Sequence, residues 1–111
     1  MVRIVLIRHA KSSWSDPEVQ DIDRPLNRRG RLASTLIGAW LRDESVGLDH
    51  VWLSPAVRSA ETFAHMNIES THEPQAHNAL YMAAPNTILH ILRSTPKSAQ
   101  TAAIIGHQPG L

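Results

Sequence analysis

The stretch IVLIRHAKSSW, Ile4–Trp14, decides how this chain is read. Four apolar residues build a strand, Arg8 and His9 stand side by side where that strand should end, and a polar loop follows. Upstream, only Arg3 interrupts the apolar run Val2–Ile7, a pattern expected of a strand covered on both faces. Downstream, residues 10–27 carry Ser12, Ser13, Ser15, Asp16, Pro17 and Pro25 with no period, and so read as loop. From about Arg29 to Asp43, Leu32, Leu36, Ile37, Trp40 and Leu41 recur at helical spacing and predict one buried stripe. Val51-Trp52-Leu53 is a second strand, ended by Ser54-Pro55, which suit an N-cap and a first helical position. The helix after it is expected to bury Val57, Ala60, Phe63 and Ala64. Beyond a Pro-containing link, Pro85 opens a helix with Ile88, Leu89, Ile91 and Leu92 apolar. Thr101–Gly106 is a last buried strand that delivers His107 at its end.

Strands alternating with helices imply right-handed crossovers and a mainly parallel sheet with helices on its faces, a three-layer α/β/α sandwich. Ligands bind beyond the C-terminal ends of such strands. That rule gathers Arg8-His9, Ser54–Arg58 and His107 on one rim. An arginine fork matches a phosphoryl group bidentately and keeps its charge. Arg58, in the first turn of its helix, opposes the helix dipole unless an anion is bound there. A neutral histidine beside these groups can attack phosphorus, and flanking arginines would hold its pKa down. His107 offers a further donor to the phosphoryl oxygens. From position alone, salt-bridged arginines and satisfied histidines explain the pattern about as well.

The totals exclude several classes. The 111 residues make one domain, residues 1–111, with a formal net charge of +1; this gives no general attraction to nucleic acid or anionic membrane. There is no cysteine, hence no thiolate nucleophile or thiolate metal site. No apolar run approaches the ~20 residues that span a bilayer, and the N-terminus has no signal-peptide pattern. The expectation is a cytoplasmic protein, and a monomer.

LIRHAKSSW, LSPAVRSAET and IIGHQPGL, with DRPLNRRGRLAS between the first two, resemble the histidine phosphatase superfamily. They match its Arg-His strand end, its Ser-Pro-x-x-Arg segment, its Gly-His-x-Pro second histidine and its Pro-Leu…Gly turn into the first helix. The wording is most similar to the phosphohistidine phosphatase branch. The resemblance implies a phosphoglycerate mutase-like fold and a phosphoryl pocket of Arg8, His9, Arg58 and His107. It also implies His9 as the phosphorylated nucleophile, Ser12 as a further phosphate contact, and no metal or other cofactor. Its substrate would be a phosphohistidine-bearing protein in a signalling context. A small-molecule phosphomonoesterase of the same superfamily and a non-catalytic phosphate-binding module are the alternatives.

The sequence departs from that pattern in three places. Ala10 stands where the superfamily most often has glycine. His77-Asn78-Ala79 stands where relatives often carry the carboxylate that protonates the leaving group, so the general acid is unassigned. Glu73, Asp16 and His77 remain, each more readily an ordinary surface residue. The sequence stops at Leu111, where the resemblance leads one to expect a further helix and strand, so the domain is expected to lack them and part of its sheet to lie open.

Other signals carry less. HEPQAH, His72–His77, superficially resembles the zinc helix, but its spacing is one residue too long and Pro74 breaks the helix. His50, His65 and His90 are isolated. Arg24, Arg28, Arg29 and Arg31 read first as a solvated face partly paired with Asp21 and Asp23, and second as a dock for an acidic protein. Trp14 either anchors its loop or shapes one wall of the pocket.

Overall fold

The computed structural model describes residues 3–107. Val2 and the residues Gln108–Leu111, which include the proline of the Gly-His-x-Pro motif, lie outside the described residues. Four strands, β1 (Arg3–Arg8), β2 (His50–Leu53), β3 (Gln75–Ala76) and β4 (Thr101–Gly106), form one parallel sheet in the order β1-β4-β2-β3. Helices α1 (Arg28–Asp43), α2 (Val57–Met66) and α3 (Pro85–Arg93) make the three crossovers. The side-chain alternation of the central strands divides the core in two. Val51, Leu53, Ala103 and Ile105 pack with Leu41 of α1 and Met66 of α2, while Ile104 and Trp52 face Ile88, Ile91 and Leu92 of α3. The architecture is therefore the three-layer α/β/α sandwich, with β4 buried along its whole length because it has strands on both sides and helices on both faces.

Several local expectations are corrected. β1 is not covered on both faces: it is an edge strand, and Ile4 and Leu6 are 48% and 52% exposed. Only the opposite face, carrying Val5 and Ile7, meets the core. In α1, Leu32, Leu36 and Trp40 are exposed, and the buried line is Gly30, Ser34, Gly38 and Leu41. The cause is close helix packing: a Cβ on Gly38 would stand 1.8 Å from the Met66 carbonyl oxygen, so small residues face α2. In α2, Ala60 and Ala64 are exposed and Val57 and Phe63 only half-buried, whereas Arg58, Ser59, Thr62 and Met66 are buried. Arg58 lies inward there because it lines the site, and Thr62 because it ties the turn after His9 to α2. Ser54 does not cap α2, whose first helical residue is Val57, not Pro55. Pro85 does open α3. HEPQAH forms no helix, as Pro74 led one to expect; it carries β3, a strand the sequence pattern did not signal, and the His77 side chain accepts from the Ala79 amide at a 3-10 turn over Asn78–Leu80.

The loop between β1 and α1 is pinned at its end. Asn27 caps α1 through Oδ1, which accepts from the Gly30 amide at 2.8 Å, and its own amide donates to the Lys11 carbonyl at 2.9 Å. Gly30 is required by that contact, since a Cβ would sit 2.1 Å from the same carbonyl oxygen. Leu26 is buried beside it, its amide donating to Glu61 of α2 at 2.8 Å.

Candidate active site

Because β1, β4 and β2 are adjacent and parallel, their C-terminal ends deliver Arg8-His9, His107 and Ser54 side by side. Above them a cavity of about 670 Å³ is lined by Arg8, His9, Ser12, Arg24, Arg58 and His107, with Asp21 as its acidic group. All five sequence-derived site residues are brought to one pocket, of a size ordinary for a small ligand or a protruding side chain.

His9 is held in one tautomer. Its Nδ1 lies 2.7 Å from the Ala10 carbonyl, which can only accept, so Nδ1 carries the proton. Nε2 then presents its lone pair, which accepts from Arg58 Nε at 3.3 Å. Burial lowers the His9 pKa below its ordinary 6.5; the Ala10 hydrogen bond works against this, and Arg58, Arg8 and Arg24 add to the lowering. The arginines do depress it, but desolvation is the larger cause. The Ala10 amide donates to Thr62 Oγ1 at 3.1 Å, and that hydroxyl donates to the Arg58 carbonyl at 2.7 Å, so the turn after His9 is tied to α2.

Arg58 is 2% exposed and His107 3%. His107 Nδ1 accepts from Arg58 at 3.3 Å, which leaves the proton on Nε2, and Nε2 donates to Ser54 Oγ at 2.5 Å. Burial, and after it the charges of Arg58 and His9, push the His107 pKa down to about 4 against an opposing pull from Asp21. The ring is thus neutral at pH 7 and its N–H points to Ser54, so in this state it supports Arg58. Ser54 and His107 explain each other: the hydroxyl expected to cap α2 closes this chain instead.

Two groups escaped the sequence reading. Arg24 belongs to no solvated basic face: it is buried, its guanidinium carbon lies 3.5 Å from the centre of the Trp14 ring, and it donates to the Ser12 hydroxyl. Trp14 shapes one wall of the pocket, and Ser12 lines it with its hydroxyl engaged by Arg24. Asp21 is the second group. Its Oδ1 accepts from Arg24 Nε at 3.1 Å and a terminal nitrogen at 2.9 Å, and its Oδ2 from Arg58 at 3.0 Å and from the Tyr81 hydroxyl. Arg58 also donates to the Asp21 carbonyl at 2.6 Å. The Tyr81 hydrogen bond, followed by those of Arg24 and Arg58, holds the Asp21 carboxyl far below the usual carboxylate range despite some desolvation. Tyr81 meanwhile stands edge-on to His107, ring centres 5.4 Å apart. The available signal was Asp21 itself, three residues before Arg24 within DRPLN, read as a surface pair because nothing local shows which way the loop folds.

Glu73, Asp16 and His77 are not brought to the pocket. Asp16 instead accepts from the Glu18 amide at 3.0 Å, and the His77 ring stands 6.0 Å from Trp52. Arg8, exposed at the rim, forms no ion pair among the described residues. Among the described residues no group of three or more His, Cys, Asp or Glu could hold a metal ion, and no helix is long and apolar enough to cross a membrane.

Comparison with known proteins gives the family and agrees with the fold. The sequence model of the histidine phosphatase superfamily (branch 1) matches residues 4–81. An uncharacterized protein of Mycobacterium tuberculosis is 36% identical over 103 residues, covering 93% of this chain and 63% of the relative. A SixA protein of Nakamurella multipartitia, provisionally named a phosphohistidine phosphatase, superposes with a TM-score of 0.88 at 34% identity, over 96% of this chain and 59% of that one. The protein histidine phosphatase SixA complexed with tungstate shares the fold, with a TM-score of 0.84 at 21% identity over 96% of this chain and 69% of that one. The chain thus spans about three fifths of the length of the first two relatives.

Proposed function

Since the chain belongs to the histidine phosphatase superfamily, we propose that it is a phosphatase that removes the phosphoryl group from protein phosphohistidine through a covalent intermediate on His9. The observation that carries the reading is the state of His9: Nδ1–H is locked to the Ala10 carbonyl, and the Nε2 lone pair is aimed at the arginine cluster. In the first step the Nε2–P bond forms as the bond from phosphorus to the leaving group breaks. Arg8, Arg58 and Arg24 neutralise the transferring oxygens. In the second step water takes the phosphoryl group from His9 and restores its lone pair. Ser54 and His107 are positioning residues that keep Arg58 in place, and Ser12 orients Arg24.

The choice of substrate follows from the acidic group that the described residues bring to the pocket. Asp21 is ionised, so it has no proton for an alkoxide. The imidazole of a phosphohistidine leaves neutral once its distal nitrogen is protonated, and needs no acid at the breaking bond. An open pocket with Trp14 76% exposed on its wall also suits a phosphoryl group carried on a protein surface.

Rapid quenching during turnover of a phosphohistidine peptide is expected to trap an acid-labile, base-stable phosphoenzyme, absent in His9→Ala. Turnover at full rate without that species would sink the reading. Vanadate binding that depends on Arg8 and Arg58 with no turnover would support the non-catalytic alternative.

A further inference from the structure

Asp21 is the acidic side chain in an otherwise cationic pocket, and its position sets it apart from its partners. Arg58 and His107 are almost wholly enclosed, whereas the Asp21 side chain is 45% exposed. A phosphoryl dianion belongs on the buried cationic floor made by Arg58 and Arg24, with Arg8 at the rim beside it. The part of the substrate that carries it must then lie toward the opening, along Asp21. A fixed carboxylate there is a poor neighbour for the oxygen of an ester leaving group, because lone pair faces lone pair. It is a good neighbour for an N–H.

We propose that Asp21 touches the leaving group and selects nitrogen-linked over oxygen-linked phosphoryl groups, by accepting a hydrogen bond from the distal N–H of a phosphoimidazole ring. This rests on the reading of the chain as a phosphohistidine phosphatase and names how that preference arises. A carboxylate offers about four lone-pair positions. In the structure four donors fill them: two nitrogens of Arg24, one of Arg58 and the Tyr81 hydroxyl. In this scheme a phosphoryl oxygen, the more highly charged acceptor, draws off the Arg58 N–H that now points to Oδ2, and so frees a position on Asp21 for the leaving group.

The chemistry balances without a proton transfer at phosphorus. The carboxylate favours the distally protonated, cationic phosphoimidazolium. His9 Nε2 attacks phosphorus, the P–N pair returns to the ring nitrogen, and neutral imidazole departs with its distal N–H still on Asp21. Held ionised by Tyr81, Arg24 and Arg58, the carboxylate remains an acceptor throughout. Tyr81 is a positioning residue, tying Oδ2 to the ring of His107.

The test compares kcat/KM for a phosphohistidine peptide with kcat/KM for p-nitrophenyl phosphate. Asp21→Asn is expected to lower the ratio of the first to the second by about 10- to 100-fold, the worth of one charge-assisted hydrogen bond. Asp21→Glu, which keeps the carboxylate, is expected to stay nearer the unaltered ratio. An unchanged ratio in Asp21→Asn, even with both rates reduced, overturns the inference and leaves Asp21 a support for Arg24 and Arg58, with the phosphatase reading intact. Unaltered protein that hydrolyses the ester but not the phosphohistidine overturns both. A measurement free of any variant uses phosphoimidazole and its distal N-methyl derivative, each compared with its own spontaneous hydrolysis. Loss of about tenfold or more of the acceleration on methylation supports the inference, and equal accelerations overturn it.

Discussion

Arg58 joins the pocket together. One side chain donates to His9, His107 and both the carboxylate and the carbonyl of Asp21. Lysine cannot reproduce a planar fork that serves four acceptors at once. Arg58→Lys is therefore expected to weaken vanadate binding by about tenfold or more, read by calorimetry, although charge is conserved. The titrating residues give a pH dependence of definite sign. His107 has its ordinary pKa of 6.5 in the unfolded chain and about 4 when folded. Between those values the unfolded chain binds the proton and the folded one does not, so acid favours unfolding. The stability contributed by neutral His107 is complete above pH 6.5 and is lost as the pH falls toward 4. Asp21, whose folded pKa lies below its ordinary 3.8, adds a further loss in the same direction under more acidic conditions. Thermal midpoints at pH 7, 5.5 and 4 should fall in that order, and a flat series would contradict the geometry of both groups. His9 is active when neutral, so the acid limb of kcat/KM should lie below pH 6.5.

At the scale of the elements, two glycines set the spacing that holds the site. Gly38 lets α1 lie against the end of α2, and Gly30 lets the loop carrying Ser12 and Trp14 return onto α1. Gly38→Ala must push two backbones apart and is expected to cost about 1–3 kcal/mol. Gly47 has nothing within 4 Å of a Cβ and no left-handed backbone requirement. Gly47→Ala should accordingly leave stability unchanged or raise it by up to about 1 kcal/mol. Urea denaturation of both variants separates a packing requirement from a general effect of losing glycine.

Across the whole molecule the sheet is asymmetric. β4 is enclosed on every side, while β1 has one neighbour and one open face. Truncation of Ile105 in β4 to alanine should cost about 2–5 kcal/mol, and truncation of the half-exposed Leu6 in β1 less than about 1 kcal/mol. Equal losses by denaturant titration would mean that the Leu6 face is covered in solution.

The sequence by itself determined the alternation of strands and helices, the parallel sheet and the rim on which Arg8, His9, Arg58 and His107 meet. These depend on local periodicity and on the rule that parallel strands present ligands at their C-terminal ends, and both can be read along one chain. Only the tertiary structure decided which face of α1 is buried, since a stripe of leucines and a stripe of glycine and serine are both periodic and the choice depends on how near α2 comes. It alone turned Ser54 from a cap into a partner for His107, and it alone buried Arg24 and turned Asp21 onto the site. Those two lie in a loop with no period, where a charged side chain is buried or solvated according to which opposite charge the fold brings to it, and the charge in question, Arg58, stands 37 residues from Asp21.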